Sequence, residues 1–414
     1  MTSSVVGQAL RPLGAFERTI DLYMHRNPVQ FSLAIDLRCE PTEVELAEAL
    51  RRLQLAHPLL ATQIDRSGTE PTFRSSTEEI PMRSAHESTL EQEVAAEQTR
   101  PIPPSPGPLV RAVLITADSR PVSATVVLTF SHQIADGRGA LRAVHDLVAI
   151  LSGQDLAPRD VPTAQEDLVP RPTSDEPTSP PEPIDDELGP EQRAPATLRP
   201  FDGTAPMVAL AELDEASTRS LRDAARAHFC TVQGVLCAVA AQSLFSAPER
   251  DTVRINVPID LRGPVGLEDD VVVRFTATSV VLTSVPQVTF WELARSASSQ
   301  LADATHIRSI GAAVHTLADH APTDVDSAEQ AMLAATNADI EITNLGVTEQ
   351  QEWDDSVRAV WGPVMSTQVA GERILGVATH LGRLRLALTS HEHVDQLLSG
   401  IIDVLTTSAK SGGA

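Results

Sequence analysis

The sequence predicts a mixed α/β protein of two lobes, each a sheet with flanking helices. Three observations carry this. The chain has 414 residues, beyond the size at which one hydrophobic core keeps growing. Hydrophobic residues make up 42 %, enough for packed cores and far above what a disordered chain carries. Apolar, β-branched runs alternate with segments of helical period on both sides of a proline-rich stretch. That stretch, 158–200, holds eleven prolines, many acidic residues and few apolar ones, a composition that predicts an extended linker or crossover. The expected division is residues 1–153 as the first lobe, 154–200 as linker and 201–414 as the second lobe.

In the first lobe, residues 1–11 carry little pattern and read as a loose end or an edge strand. Leu13–Met24 places Phe16, Ile20 and Tyr23 on a short helix, and Phe31–Leu37 alternates as a half-buried strand does. Thr42 and Glu45 form a capping box for a helix with Leu46, Leu50 and Leu53 on one face. Pro58 stops it, and His57 reads as structural. Leu59–Ile64 and Thr72–Arg74 predict short strands around the Gly68 turn. Glu91–Thr99 predicts a helix closed by the prolines from Pro101 to Pro108. Leu109–Thr116 and Val122–Phe130 predict a hairpin joined through residues 117–121, and Gly153 ends the helix that follows.

The second lobe opens with a strand at Val208–Leu213, after which Asp214 caps a helix running to His228. Thr231–Phe245 is a largely apolar helix that must be buried. Val253–Pro258 and Val271–Leu282 read as strands, Phe290–Ala304 as a helix, and Ile340–Thr343 as a short strand opening into Asn344-Leu345-Gly346. Arg373–Thr379 and Leu384–Thr389 predict a hairpin, and Val394–Leu405 the last helix.

A net charge of -24 argues against nucleic acid as a partner, since phosphate binding needs a basic surface, and against an anionic membrane. Any anionic substrate therefore requires a local arginine patch within a repulsive field; Arg262, Arg358, Arg373, Arg383 and Arg385 are the candidates, and scattered solvated charges are the alternative. Three cysteines, Cys39, Cys230 and Cys237, with no C-x-x-C spacing, fit a reducing cytoplasm. No signal peptide is expected, nor any run of ~18 apolar residues to span a membrane. No histidine or cysteine cluster has zinc-site spacing, so no metal is expected.

The stretch that organises the chain is Phe130-Ser131-His132-Gln133-Ile134-Ala135-Asp136-Gly137. It follows the Val122–Phe130 run and precedes Ala140, Leu141, Val144, Leu147, Val148 and Leu151, which share a helical period. A histidine thus sits where a buried strand ends, held by rigid elements on both sides. His132 is the candidate general base, because an imidazole titrates near working pH. No G-x-S-x-G is present and the cysteines lack partners, so no covalent nucleophile is expected.

H-x-x-x-D-G after a strand resembles the HHxxxDG signature of the condensation-domain superfamily. That superfamily includes chloramphenicol-acetyltransferase-like folds, peptide-synthetase condensation domains and the PapA (polyketide-associated) acyltransferases. Leu46–Ile64 resembles its early helix with an HPxL segment, and Val257-Pro258-Ile259-Asp260-Leu261-Arg262 resembles its later P-V-D-L-R stretch. The length suits a stand-alone member. One departure stands out: the signature's first histidine is Ser131 here, which bears on local packing, while the second, the one assigned to catalysis, is His132.

The resemblance implies two chloramphenicol-acetyltransferase-like lobes with a tunnel between them and the histidine midway. It implies an acyltransferase that moves an acyl group from coenzyme A, or from the phosphopantetheine thioester of an acyl carrier protein, directly to a small-molecule alcohol or amine. Lipid or polyketide tailoring is the expected setting, and no permanently bound cofactor is needed. Asp136 has two readings: it orients the imidazole, or, as is usual in the superfamily, it turns away to an arginine, for which Arg262 is the candidate. Gly137 fits a turn where a side chain would obstruct the backbone or the donor arm. Asn344 and Gly346 read either as oxyanion or acceptor contacts or as a plain strand-ending turn. A second class of function stays open, a condensation-like module that binds a carrier-tethered intermediate, or steers its cyclisation, without transfer.

Overall fold

A computed structural model describes residues 7–116, 124–172, 195–245, 251–348, 353 and 355–411. Residues 1–6, the hairpin connection read at 117–121 with the first two residues of the strand after it, and the middle of the proline-rich segment lie outside the described residues.

Strand β1 (Ala9–Pro12) and helix α1 (Ala15–Tyr23) open the chain. β2 (Gln30–Leu37), α2 (Glu43–Ala56), β3 (Thr62–Asp65), β4 (Thr72–Ser75) and β5 (Met82–His86) follow. α3 (Leu90–Gln98), β6 (Val110–Thr116), β7 (Ala124–Ser131) and α4 (Gly137–Leu151) complete the first half. The second half runs β8 (Met207–Leu213), α5 (Glu215–Ala227), α6 (Val232–Phe245), β9 (Thr252–Asp260) and the single turn α7 (Arg262–Val265). Then come β10 (Phe275–Thr283), α8 (Phe290–Ala304), α9 (Ile307–Asp319), α10 (Val325–Ala335) and β11 (Ile340–Val347). β12 (Val357–Ser366), β13 (Arg373–His380), β14 (Arg383–Ser390) and α11 (Asp395–Ser411) end it.

Two mixed sheets organise these elements, so the α/β class read from the sequence is the class observed. One has the order β12-β2-β7-β6-β5 and the other β10-β9-β11-β13-β14-β8, with a small sheet β1-β4-β3 beside the first. Thr42 and Glu45 exchange backbone N–H bonds at the start of α2 as a capping box, and Asp214 caps α5.

β2 departs from the half-buried expectation. It lies between β12 and β7, and only Asp36 of its residues escapes full burial. Phe31, Leu33 and Ile35 enter the main core of the first half with Leu46, Leu50 and Leu147, while Ala34 packs on the other face with Leu90 and Val94 of α3. The second core surrounds α6, whose Val235, Leu236, Val239 and Ala240 are all buried.

The first sheet is completed by β12, a strand from the second half, which pairs antiparallel with β2. Its sequence disguises it. Gly362 and Pro363 fall where the register shifts between Trp361 and Val364, and a proline in an apolar run argues against a central strand. β11 likewise runs on through Asn344-Leu345-Gly346 to Val347, with an irregularity in its pairing to β13 where the sequence reads a turn. Among the described residues no single helix is long and apolar enough to cross a membrane.

Candidate active site

His132 is the first residue after β7, and its backbone N–H bonds Val29 O. Its Nδ1 lies 3.0 Å from Ala135 O. A carbonyl only accepts, so Nδ1 carries the proton and Nε2 keeps its lone pair. Three rings fix the imidazole: Phe275 stacks on it at 5.5 Å and 20°, with Phe16 at 5.6 Å and Phe31 at 5.1 Å. Burial holds its pKa below the ordinary imidazole value against the opposing charge of Asp136.

Asp136 caps α4 through a bond from Gly139 N at 2.7 Å. Its two oxygens also accept from Arg262 Nη1 and Nη2 and from Arg274 N. Burial alone would raise its pKa; the Arg262 charge and these bonds bring it below the usual carboxylate value. Arg262 Nη2 also bonds Asp270 O and Val272 O. The motif turn and the segment after β9 are thus laced together, with both side chains buried. Of the two readings of Asp136, this geometry matches the one that turns away from the imidazole.

A cavity of about 1110 Å³ opens between the two halves of the chain. The first half contributes Phe16, Phe31, His132, Asp136 and Gly137; the second contributes Asp260, Arg262, Phe275, Asn344 and Gly346. A Cβ on Gly137 would stand 2.7 Å from Leu345 Cδ2, so this glycine lets the motif turn meet the β11 irregularity. Asn344 and Gly346 hold each other: Gly346, at φ 75, donates its N–H to Asn344 Oδ1. Asn344 Nδ2 donates one N–H to Gln233 Oε1, which leaves one for a ligand.

Sequence reasoning did not find the support around Ser131. Its hydroxyl donates to Gln133 Oε1 at 2.8 Å, and Gln133 Nε2 donates to Asp21 Oδ1 at 2.7 Å. Arg66 then pairs with Asp21. Nor did it single out Phe16, Phe31 and Phe275 as a set, although they are three of only nine phenylalanines in the chain.

The proposed arginine patch does not assemble. Arg383 and Arg385 share Glu212, Arg373 pairs with Glu392, and Arg358 is exposed. Among the described residues, the arginines that line the cavity are Arg262 and Arg138.

Residues 202–369 match the family model described as phthiocerol/phthiodiolone dimycocerosyl transferase C-terminus. Among solved structures, polyketide synthase associated protein 5 from Mycobacterium tuberculosis superposes with a TM-score of 0.67 at 17% identity, covering 98% of this chain and 100% of that one. The chain has the fold of the condensation-domain and PapA-type acyltransferase superfamily. Within that superfamily fold, the condensation domain of the monacolin K polyketide synthase gives 0.66 at 15% identity over 98% of each chain. Trichothecene 15-O-acetyltransferase from Fusarium sporotrichioides gives 0.65 at 13% identity over 96% of this chain and 95% of that one. Among curated proteins none matches this sequence.

Proposed function

We propose that the protein transfers an acyl group from a coenzyme A or carrier-protein thioester directly to an acceptor hydroxyl, with His132 as general base. The observation that carries this is the commitment of His132 Nδ1–H to Ala135 O, which leaves a basic Nε2 on a side chain that lines a cavity of about 1110 Å³. Nε2 takes the acceptor proton as the acceptor oxygen attacks the thioester carbonyl. The tetrahedral intermediate collapses with loss of the C–S bond, and the imidazolium returns the proton to the leaving thiolate. The uncommitted N–H of Asn344 is the proposed side-chain contact for the oxyanion or the acceptor. Asp136 and Arg262 hold the turn and take no part in proton transfer.

The test is single-turnover transfer followed by mass spectrometry, with acyl-CoA and acyl-carrier-protein donors and a panel of alcohols and amines. A folded His132→Ala variant is expected to lose roughly 10²-fold or more, and the product names ester or amide. A folded variant that matches wild type overturns the general-base reading. A wild type that binds the loaded carrier yet transfers to nothing points to the binding module instead.

A further inference from the structure

The cavity has a second polar end that the reaction at His132 does not use. Glu341, on β11, lines its wall and also a smaller recess of about 270 Å³ that shares Thr336 and Thr367 with it. Asn256 Nδ2 donates to Glu341 Oε2 at 2.8 Å, and among the described residues nothing donates to Oε1. No arginine, lysine or histidine of the described residues pairs with this carboxyl. Arg373, in the recess, is engaged with Glu392 and Asp339 O. Glu372, also in the recess, is engaged by Ser366 and by the hydroxyl and N–H of Thr367. The remaining charged groups on the cavity wall, Asp136, Arg138, Asp260, Arg262 and Asp269, are joined by ion pairs at the Asp136 turn that follows His132.

The two ends are separated along β9. Glu341 sits opposite Asn256, whereas Asp260 sits opposite Phe275, the ring stacked on His132. Asn256, Pro258 and Asp260 all line the cavity, and the four steps from Asn256 to Asp260 span ~13 Å of strand. Glu341 is therefore out of hydrogen-bond reach of the proton that His132 handles. It faces whatever part of a substrate extends past the reacting atom.

We infer that Glu341, oriented by Asn256, is a specificity residue that receives a protonated amine of the acceptor, at the end of the cavity set back along β9 from the oxygen that is acylated. An interior carboxylate is tolerated when a cation pairs with it, and this one has an open oxygen on a substrate cavity and no cation of its own. Burial lifts the carboxyl to about 7 against the hydrogen bond from Asn256, with the charge of Glu372 adding to the rise. An incoming ammonium reverses that effect by favouring the ionised form. This inference rests on reading the cavity as the acyl-transfer site, and it adds the class of acceptor.

The experiment is calorimetric binding of a nine-carbon α,ω-amino alcohol, against the plain alkanol of the same chain length, to wild type, Glu341→Gln and Asn256→Ala. Both compounds are then run as acceptors with an acyl thioester. The expected result is a preference of wild type for the amino alcohol, falling roughly ten- to hundredfold in Glu341→Gln. In wild type the preference also grows as pH rises through about 7, because the carboxylate forms while the amine stays protonated; in Glu341→Gln it is flat across that range. Equal preference in wild type and Glu341→Gln overturns the subsite, as does a wild-type preference that is independent of pH, a readout that does not depend on the variant folding. Amine-selective binding without acyl transfer to either compound supports the subsite and counts against the transferase reading instead.

Discussion

Arg262 reaches across 126 residues of sequence to Asp136, Nη1 to Oδ2 at 2.9 Å and Nη2 to Oδ1 at 3.1 Å. Asp136 also accepts from Arg274 N of the segment that follows Arg262, while Arg262 fastens that same segment through Asp270 O and Val272 O. The pair closes the seam that carries the candidate site. Arg262→Ala leaves a buried carboxylate without its cation, and Asp136→Ala takes from a buried guanidinium its buried carboxylate, leaving the more exposed Asp260 and Asp269 and two backbone carbonyls. Each single variant is expected to lose ~3–5 kcal/mol of stability, measured by urea unfolding. The double variant should lose less than the sum of the two. Additive losses would show that the pair is not a coupled unit.

The pH dependence of transfer follows from His132. Burial lowers its pKa below the ordinary 6.5, with the charge of Asp136 resisting. A general base must be neutral, and a lowered pKa keeps it neutral in more acid solution. The rising limb of kcat/KM against pH is therefore expected below 6.5. Phe275→Ala opens one stacked face of the ring to solvent and weakens the burial effect, so its limb should move up toward the ordinary value. A limb above 6.5 in wild type contradicts the assignment.

Two glycines in the first turn of α4 separate a soft contact from a hard one. A Cβ on Gly137 meets the end of the Leu345 side chain, which can rotate away. A Cβ on Gly139 meets Val272 O at 2.9 Å, Val272 N at 3.0 Å and Asp270 O at 3.1 Å, and both carbonyls are the ones Arg262 holds. Alanine gains up to ~1 kcal/mol of helix propensity at either site. Gly137→Ala is expected to lie within about 1 kcal/mol of wild type, whereas Gly139→Ala should be destabilised by ~1–3 kcal/mol because backbone must move. Thermal melts of the two variants decide it; equal melting temperatures refute the contrast.

What the sequence revealed and what it hid divide along physical lines. Local signals were legible: the capping box of Thr42 and Glu45, the cap at Asp214, the all-apolar α6, and a strand leading into His132 are each set by neighbours in the chain. Long-range pairing was not. β12 joins β2 across more than half the chain with Gly362 and Pro363 at its register shift, a pattern that reads as no strand at all. The short β5 escaped because M-R-S-A-H alternates weakly and gains its stability from parallel pairing with β6. At the site, the H-x-x-x-D-G spacing pointed to His132, Asp136 and Gly137. The rings around the imidazole come from α1, β2 and β10, which only the fold brings together. Ser131 looked like a loss from the signature, whereas the structure ties its hydroxyl to Gln133 and through it to Asp21 and Arg66.

Asp146 supplies the last prediction, behind the site on α4. Its carboxylate accepts from His57 Nε2 at 2.8 Å, Arg142 Nε at 2.9 Å and His145 Nδ1 at 3.2 Å, joining the end of α2 to the helix that follows the motif. Burial alone would raise its pKa, and the three bonds together hold it well below the ordinary 3.8. A carboxyl whose folded-state pKa is depressed contributes stability that is fully present above the unfolded value and is lost as pH falls through the folded one. Asp146→Asn is therefore expected to be less stable than wild type by ~1–3 kcal/mol near neutrality. That gap should narrow steadily below 3.8, where the wild-type contribution disappears. Urea midpoints for both proteins across that range test it. A gap of constant size from neutral to strongly acid solution would mean that charge at Asp146 contributes nothing and that only the shape of the side chain matters.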